Sequence, residues 1–230
     1  MIKHGKKYKK AHEVLGERRM HSLQEGVARV KELAYARFDE SVTADINLGI
    51  DPSKGDQVVR GSILLPHGVG KELRILVFAK GDDAEKAKAA GADFVGAEDL
   101  VQKIESGWLE FDHAVATPGM MGLVGKVARI LGPRGLLPNK KIGTVTVDVA
   151  QVVNELKNGL RFFKNDKQGV IHFTLGKVSF GDSALMENIK AFLKKLASSK
   201  PSTSKGVFIK KFVISSSMGP GIHVNIADEL

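Results

Sequence analysis

Between residues 73 and 131 the chain alternates short apolar runs with short amphipathic ones, and that alternation restricts the possible folds more than any other feature. Residues 73–79 are rich in Ile, Leu and Val and predict a strand, and residues 84–90 predict a small helix. The pattern repeats with a strand at 92–95, a helix at 97–105, a strand at 113–117 and a helix at 120–131 that carries Leu123, Val127 and Ile130 on one face. Strands joined through helices, with Gly81 and Gly91 at the connections, predict a parallel sheet covered by helices, a Rossmann-like domain.

The flanks follow another period. Val42, Ala44, Ile46, Leu48 and Ile50 alternate with Thr43, Asp45, Asn47 and Gly49, as a strand with one buried face requires. Ile222, Val224 and Ile226 alternate likewise, residues 170–175 and 207–215 are rich in β-formers, and helices are expected near 22–36 and 183–196. Neither flank holds enough elements to bury a core alone. The economical solution is a two-domain protein of α/β and α+β class: residues 1–66 and 160–230 form one discontinuous α+β domain, and 67–159 form an inserted, Rossmann-like three-layer α/β domain. Pro66-His67-Gly68-Val69-Gly70 and Lys157-Asn158-Gly159 would be its hinges. A single compact domain is the alternative.

The formal net charge is +9, and its placement says more than its size. Residues 67–159 carry twelve Lys/Arg against twelve Asp/Glu, so the whole excess lies in the flanks, where a polyanion would be held most tightly. The middle has one local exception. Between Asp112 and Asp148 it carries Lys126, Arg129, Arg134, Lys140 and Lys141 with no acidic residue, around a loop whose glycines and prolines end the helix near Ile130. Either this loop meets something negative outside the fold, or it is an ordinary helix-to-strand turn with solvated lysines.

Several function classes lose support. The chain has no Cys, which excludes disulfides, thiolate nucleophiles and Cys-based zinc sites and fits a reducing compartment. The basic run from Lys3 to Lys10 leads into His12, Glu13, Glu17, Arg18 and Arg19 instead of the apolar core of a secretory signal, and no segment is apolar and long enough to cross a bilayer. A cytoplasmic protein with no membrane partner is expected. Ahead of Gly70-Lys71, Leu65 stands where a P-loop needs its first glycine, and Glu72 stands where a hydroxyl should hold magnesium. Gly122, Gly125 and Gly132 fall within or beyond a helix, not in a turn that aims amides at a pyrophosphate. The histidines show no ligand spacing, and Ser215-Ser216-Ser217 lacks the frame of a nucleophile elbow, so no cofactor, metal or catalytic residue is expected. Lys205-Gly206-Val207-Phe208-Ile209-Lys210 departs from the aromatic strand of an RNA-recognition motif, because Val207 replaces the stacking ring.

Two unusual segments remain, Arg37-Phe38-Asp39-Glu40-Ser41 and Ser215-Ser216-Ser217-Met218-Gly219-Pro220-Gly221. Hydroxyls and Gly219 suit ribose and phosphate, while Phe38 and Met218 offer apolar surface to a base or sugar. The competing reading puts Phe38 in the core and makes Met218 a gap-filler.

The run Gly125-Lys126-Val127-Ala128-Arg129-Ile130-Leu131-Gly132-Pro133-Arg134-Gly135-Leu136-Leu137-Pro138-Asn139 resembles the signature of the ribosomal protein L-one family. Asn47-Leu48-Gly49-Ile50-Asp51, Asp56-Gln57-Val58-Val59-Arg60-Gly61, Leu65-Pro66-His67-Gly68, Ala90-Gly91-Ala92-Asp93, Asn165-Asp166-Lys167 and Met218-Gly219-Pro220 resemble its bacterial-type members. The resemblance implies a discontinuous first domain with a Rossmann-like insertion, and a non-enzymatic constituent of the large ribosomal subunit. It further implies binding to large-subunit (23S) rRNA at the mobile stalk, help in releasing deacylated tRNA from the exit site, and repression of the protein's own operon mRNA. Outside the ribosome a monomer is expected. By position, it implies RNA contacts at Arg37, Phe38, Ser217, Met218 and Gly219, with Lys167 and His172 as weaker candidates and Arg129, Arg134, Lys140 and Lys141 as a secondary contact. Two departures stand out. Ser216-Ser217 replaces the family's common Thr-Thr and keeps its hydroxyls; Thr43 stands where an acid is common, which removes any contact made through that carboxylate. A general basic nucleic-acid binder and a nucleotide-dependent enzyme of the middle segment are the readings from other classes.

Overall fold

The structure is a computed structural model that describes residues 5–16, 19–140 and 142–226. Helices α1 (Lys6–Leu15) and α2 (Leu23–Glu32) precede strands β1 (Ser41–Leu48), β2 (Arg60–Leu64) and β3 (Ile75–Phe78). Then come α3 (Asp82–Ala89), β4 (Phe94–Gly96), α4 (Glu98–Glu105), β5 (His113–Ala116) and the short helices α5 (Met121–Val124) and α6 (Ala128–Leu131). The order closes with α7 (Val149–Lys157), β6 (Leu160–Lys164), β7 (Val170–Lys177), α8 (Asp182–Ser198), β8 (Ile209–Ser216) and β9 (Ile222–His223). The fold is mixed α/β with several sheets, and its contacts divide it into two compact units. One takes in the chain up to Gly70 and from Phe162 on; the other is Lys71–Arg161.

The first unit is built on an antiparallel sheet of order β7-β1-β8-β9. The alternation along β1 sets its two faces: Val42, Ala44, Ile46 and Leu48 are buried, and Ser41, Thr43, Asp45 and Asn47 lie on the other side. Helices α2 and α8 close the buried face with Val27, Val30, Ile189, Phe192 and Leu196. Phe192 stacks on Phe173 at 4.0 Å between ring centres, and Phe163 meets both edge-on. Helix α2 starts with a capping box in which Ser22 and Glu25 each take the other's backbone N–H through a side-chain oxygen. It stops at Glu32, short of the expected residue 36, because the N–H groups of Tyr35 and Ala36 turn instead to the Glu40 carboxylate. Helix α1 is not anticipated by the sequence pattern. Only its Ala11 is buried and only Leu15 adds packing against the core, so four lysines dominate its composition.

The second unit holds a parallel sheet of order β4-β3-β5. Leu76, Phe78, Ala114 and Ala116 face a core shared with Leu100, Val101 and Ile104 of α4 and with Val124, Val127 and Leu131. Ile75, Val77 and Val115 are also buried, and α3 and α7 pack against the strands as well. Burial on both faces is why residues 75–78 form an unbroken apolar run.

The expected helix at 120–131 is not continuous. A 3₁₀ turn at Pro118–Met120 leads into α5 and another at Gly125–Val127 separates α5 from α6, in a segment where Gly122 and Gly125 weaken helical propensity. The basic loop is also more regular than its glycines and prolines suggest. Gly132 keeps helical dihedrals, and Gly135 adopts φ +71°. The N–H of Leu136 donates to Leu131 O and that of Gly135 to Gly132 O, each at 3.0 Å, so Pro133 and Arg134 lie within a Schellman-type helix end. Among the described residues no helix is long and apolar enough to cross a membrane.

Candidate nucleic-acid interface

The two unusual segments of the first unit meet at one end of its sheet. Ser41 opens β1 and Ser216 ends β8, and the register pairs Val42 with Ser216 and Thr43 with Ser215. The side chain that joins them is Glu40. Its Oε1 accepts the N–H of Tyr35 (3.0 Å) and of Ala36 (2.7 Å), and its Oε2 accepts the N–H of Met218 (3.0 Å). The Ser216 hydroxyl donates to the same carboxylate. Burial pushes the Glu40 carboxyl up, but the bonds from Ser216, Met218, Ala36 and Tyr35 outweigh it and hold the group below the ordinary glutamate range.

Further bonds fix the same junction. Tyr35 Oη donates to the Met218 carbonyl at 2.7 Å. The Ser41 N–H donates to Ser217 Oγ at 3.0 Å, and the Ser217 hydroxyl returns a bond to the Ser41 carbonyl. The Gly219 N–H donates to Ser216 Oγ at 3.1 Å, and a Cβ at position 219 would stand 2.5 Å from that oxygen, so a larger residue there displaces a ligand of Glu40. On the other side, Ser179 donates through both N–H and hydroxyl to the Asp39 carboxylate. Arg37 and Phe38 therefore project from a loop tied down on both sides.

What this junction presents is apolar and uncovered. Phe38 is 59% exposed and Met218 51% exposed, which removes the reading of Phe38 as core and of Met218 as a gap-filler. Arg37 and Ser217 are exposed as well, and Gly219 is half-buried. Thr43 lies on the outer face of the sheet, where its hydroxyl meets Ser215 Oγ at 3.2 Å.

Lys167 and His172 are not gathered to the same place. Lys167 sits in the turn before β7, whose Val170 pairs with Asn47, six residues along β1 from Ser41, or roughly 20 Å at strand rise. His172 is exposed on the outer face, but its Nδ1 lies 2.6 Å from Asp45 Oδ1 and its Nε2 4.0 Å from Asp166 Oδ2. Protonated His172 would neutralise carboxylates there instead of offering a free cation. In the second unit Arg129, Arg134 and Lys140 are exposed around the Schellman turn. Lys141 lies outside the described residues. Phe208 is buried in the first unit's core while Val207 is 72% exposed, so neither supplies a stacking platform of the RNA-recognition type.

Sequence reasoning missed the supports: Glu40, Tyr35 and Ser216, with the Asp39–Ser179 pair behind them. One signal was available. Extending the inward even positions of β1 back from Val42 puts position 40 on the buried side, and an acid there needs donors.

Comparison with known proteins identifies the family. The model of the Ribosomal protein L1p/L10e family matches residues 30–220, a span that contains both loops and the basic turn. The chain is also similar to the Large ribosomal subunit protein uL1 of Desulfotalea psychrophila (strain LSv54 / DSM 12343). The two are 52% identical over 225 residues, 98% of this chain and 96% of that protein. The chain belongs to the ribosomal protein L1p/L10e family.

Proposed function

We propose that this protein binds large-subunit ribosomal RNA at the stalk through the antiparallel unit, with Arg37, Phe38, Ser217, Met218 and Gly219 as one preformed surface. The observation that carries the reading is a pair of large apolar side chains, Phe38 and Met218, left in solvent on loops that Glu40 locks together. Apolar groups held rigid without a covering partner have little ordering entropy left to lose on binding. Hydroxyls and backbone beside them suit the shape and 2′-hydroxyl contacts by which RNA is recognised.

The family is one of structural ribosomal proteins and not of enzymes, and its members work on the ribosome in the cytoplasm. Three finer roles go with the proposal. A surface shaped for the rRNA stalk also holds a messenger segment of the same shape, so the protein represses its own operon mRNA. The exposed Arg129, Arg134 and Lys140 make a secondary contact to phosphates, of rRNA or of a deacylated exit-site tRNA whose release they assist. Lys167, at the far end of the sheet, reaches a separate stretch of the RNA backbone. The two compact units act as two domains, with the Rossmann-like parallel one inserted into the antiparallel one, and the protein is a monomer outside the ribosome.

Crosslinking the protein to RNA in cells and sequencing the bound fragments tests the core of this. One large-subunit stalk segment should dominate, with the protein's own messenger second. Recovery spread evenly over large- and small-subunit rRNA would reduce the protein to a charge binder.

A further inference from the structure

We infer that Glu40 is the positioning residue of this surface: its buried carboxylate holds the two loops in the geometry that RNA requires, without touching RNA. The inference rests on the RNA-surface reading above. Glu40 is 2% exposed and accepts from four donors on two segments that meet from far apart in sequence, 178 residues in the case of Met218. An acid under a surface for a polyanion opposes binding by its charge, so what it contributes is geometry. The chemistry also demands the ionised form. A carboxylate has about four acceptor sites on two oxygens, whereas a glutamine of the same shape keeps one accepting oxygen and turns an NH₂ toward a second donor. Either orientation of that amide satisfies one loop and confronts the other.

The two loops have other links, and these differ in reach. The Tyr35 hydroxyl holds the Met218 carbonyl and Ser217 holds Ser41, but among the described residues only Glu40 engages the backbone N–H groups of both segments. Loss of its charge should free residues 35–38 and 217–219 together while the stacked core of Phe173 and Phe192 stays in place.

The test uses the full chain, an in vitro transcript of the large-subunit stalk helices, and hydrogen exchange. Glu40→Gln should weaken binding to the transcript by about tenfold or more, the scale of a lost hydrogen bond to a charged group. The slope of log affinity against log salt should stay unchanged, because every phosphate remains engaged. Amide exchange should quicken at 35–41 and 216–219 only. Tyr35→Phe deletes one hydroxyl bond and should act in the same direction with a smaller effect. Wild-type affinity in a folded Glu40→Gln protein overturns the inference. A reduced salt slope overturns it too, by making Glu40 part of an ionic contact, and so does faster exchange throughout the unit, by making it a general stability residue. If Glu40→Gln fails to fold, Ser216→Ala, which removes one donor from the carboxylate, decides, and unchanged affinity there is equally fatal. Phe38→Ala and Met218→Ala run alongside. If neither weakens binding, the surface reading has failed and the inference falls with it; if both do while Glu40→Gln does not, only the positioning role has failed.

Discussion

The paired loops of the antiparallel unit and the basic turn of the parallel unit both carry glycines and both are exposed, but they are held by different means. Around Glu40 two local bonds, from Tyr35 and Ala36, are joined by long-range ones that link residues 35–41 to 216–219 and to Ser179. Around Arg134 they are local: Leu136 and Gly135 close on the helix end just before them, and Asn139 exchanges bonds with Thr144. Long-range bonds fix two segments against each other, so together they can be complementary to a shape. Local bonds fix only the path of one segment and leave its cations to find phosphates. The first arrangement suits discrimination and the second attraction.

The largest expected effect tests the discriminating side. Phe38→Ala and Met218→Ala should each weaken binding to the stalk transcript, by about 1–3 kcal/mol where the side chain stacks on a base. Both are exposed, so unfolding free energy should move by no more than about 0.5 kcal/mol. A denaturant titration showing a fall of about 2–5 kcal/mol would mean that the side chain is buried in solution, and the surface would dissolve as a concept.

Acid should separate the two units next, because each holds a titratable group whose contribution is lost as pH falls, but in a different window. Burial, then the nearby charge of Arg161, push His113 down to about 4 against the opposing pull of Asp112. As pH falls below 6.5 the unfolded chain takes the proton first, so stability present at pH 7 is lost between 6.5 and about 4. By that linkage the parallel unit should lose roughly 2 kcal/mol by pH 5. Glu40 has the same sign but a lower window. Its folded form is depressed below 4.5, so its contribution is complete above that value and fades only as pH drops through the lowered one. Hydrogen exchange at pH 5, corrected for intrinsic rates, should therefore open 71–161 and leave 35–41 protected, and His113→Gln should abolish the difference. Equal loss in both regions would break the contrast.

The attracting side predicts a smaller change of a different kind. Converting Arg129, Arg134 and Lys140 together to Gln should flatten the salt dependence by up to about 0.7–0.9 for each phosphate that the turn no longer neutralises. The preference for stalk RNA over duplex DNA should be unchanged. If that preference falls instead, the basic turn reads shape after all.

The same contrast explains what the sequence made legible. Strand β1 was plain, because one buried face imposes a period of two, and the strands and helices of 75–105 were plain for the complementary reason that strands buried on both faces read as solid apolar runs. Strand β2 was not, since only Ile63 within it is buried and no period exists to read. Helix α7 follows closely on the β-branched stretch 144–147, whose composition hides the Val149, Val153 and Leu156 stripe. In the site, Phe38 and Met218 were visible as odd residues in polar company. Their union was not, because it depends on one carboxylate meeting an amide 178 positions away, which no local pattern encodes. Lys167 and His172 were gathered by resemblance, while the register spreads them along the strand.

The smallest effect on binding should come from the largest excision. Within the parallel unit the Arg161 guanidinium donates to the Lys71 carbonyl at 3.3 Å, so the two ends of that segment lie side by side. Removing 71–161 and joining Gly70 to Phe162 through a few glycines then closes a short gap, at little cost in loop entropy. Phe162, Phe163 and Lys164 remain to pair with β2, and Phe163 still packs on Phe173 and Phe192. The product should melt cooperatively and bind the stalk transcript within about tenfold of the full chain, a loss of at most about 1.4 kcal/mol. An unfolded product would sink the two-domain proposal. A folded product that no longer binds would reverse the contrast between the regions, because recognition would then reside in the basic turn, and the loops around Glu40 would be scaffold.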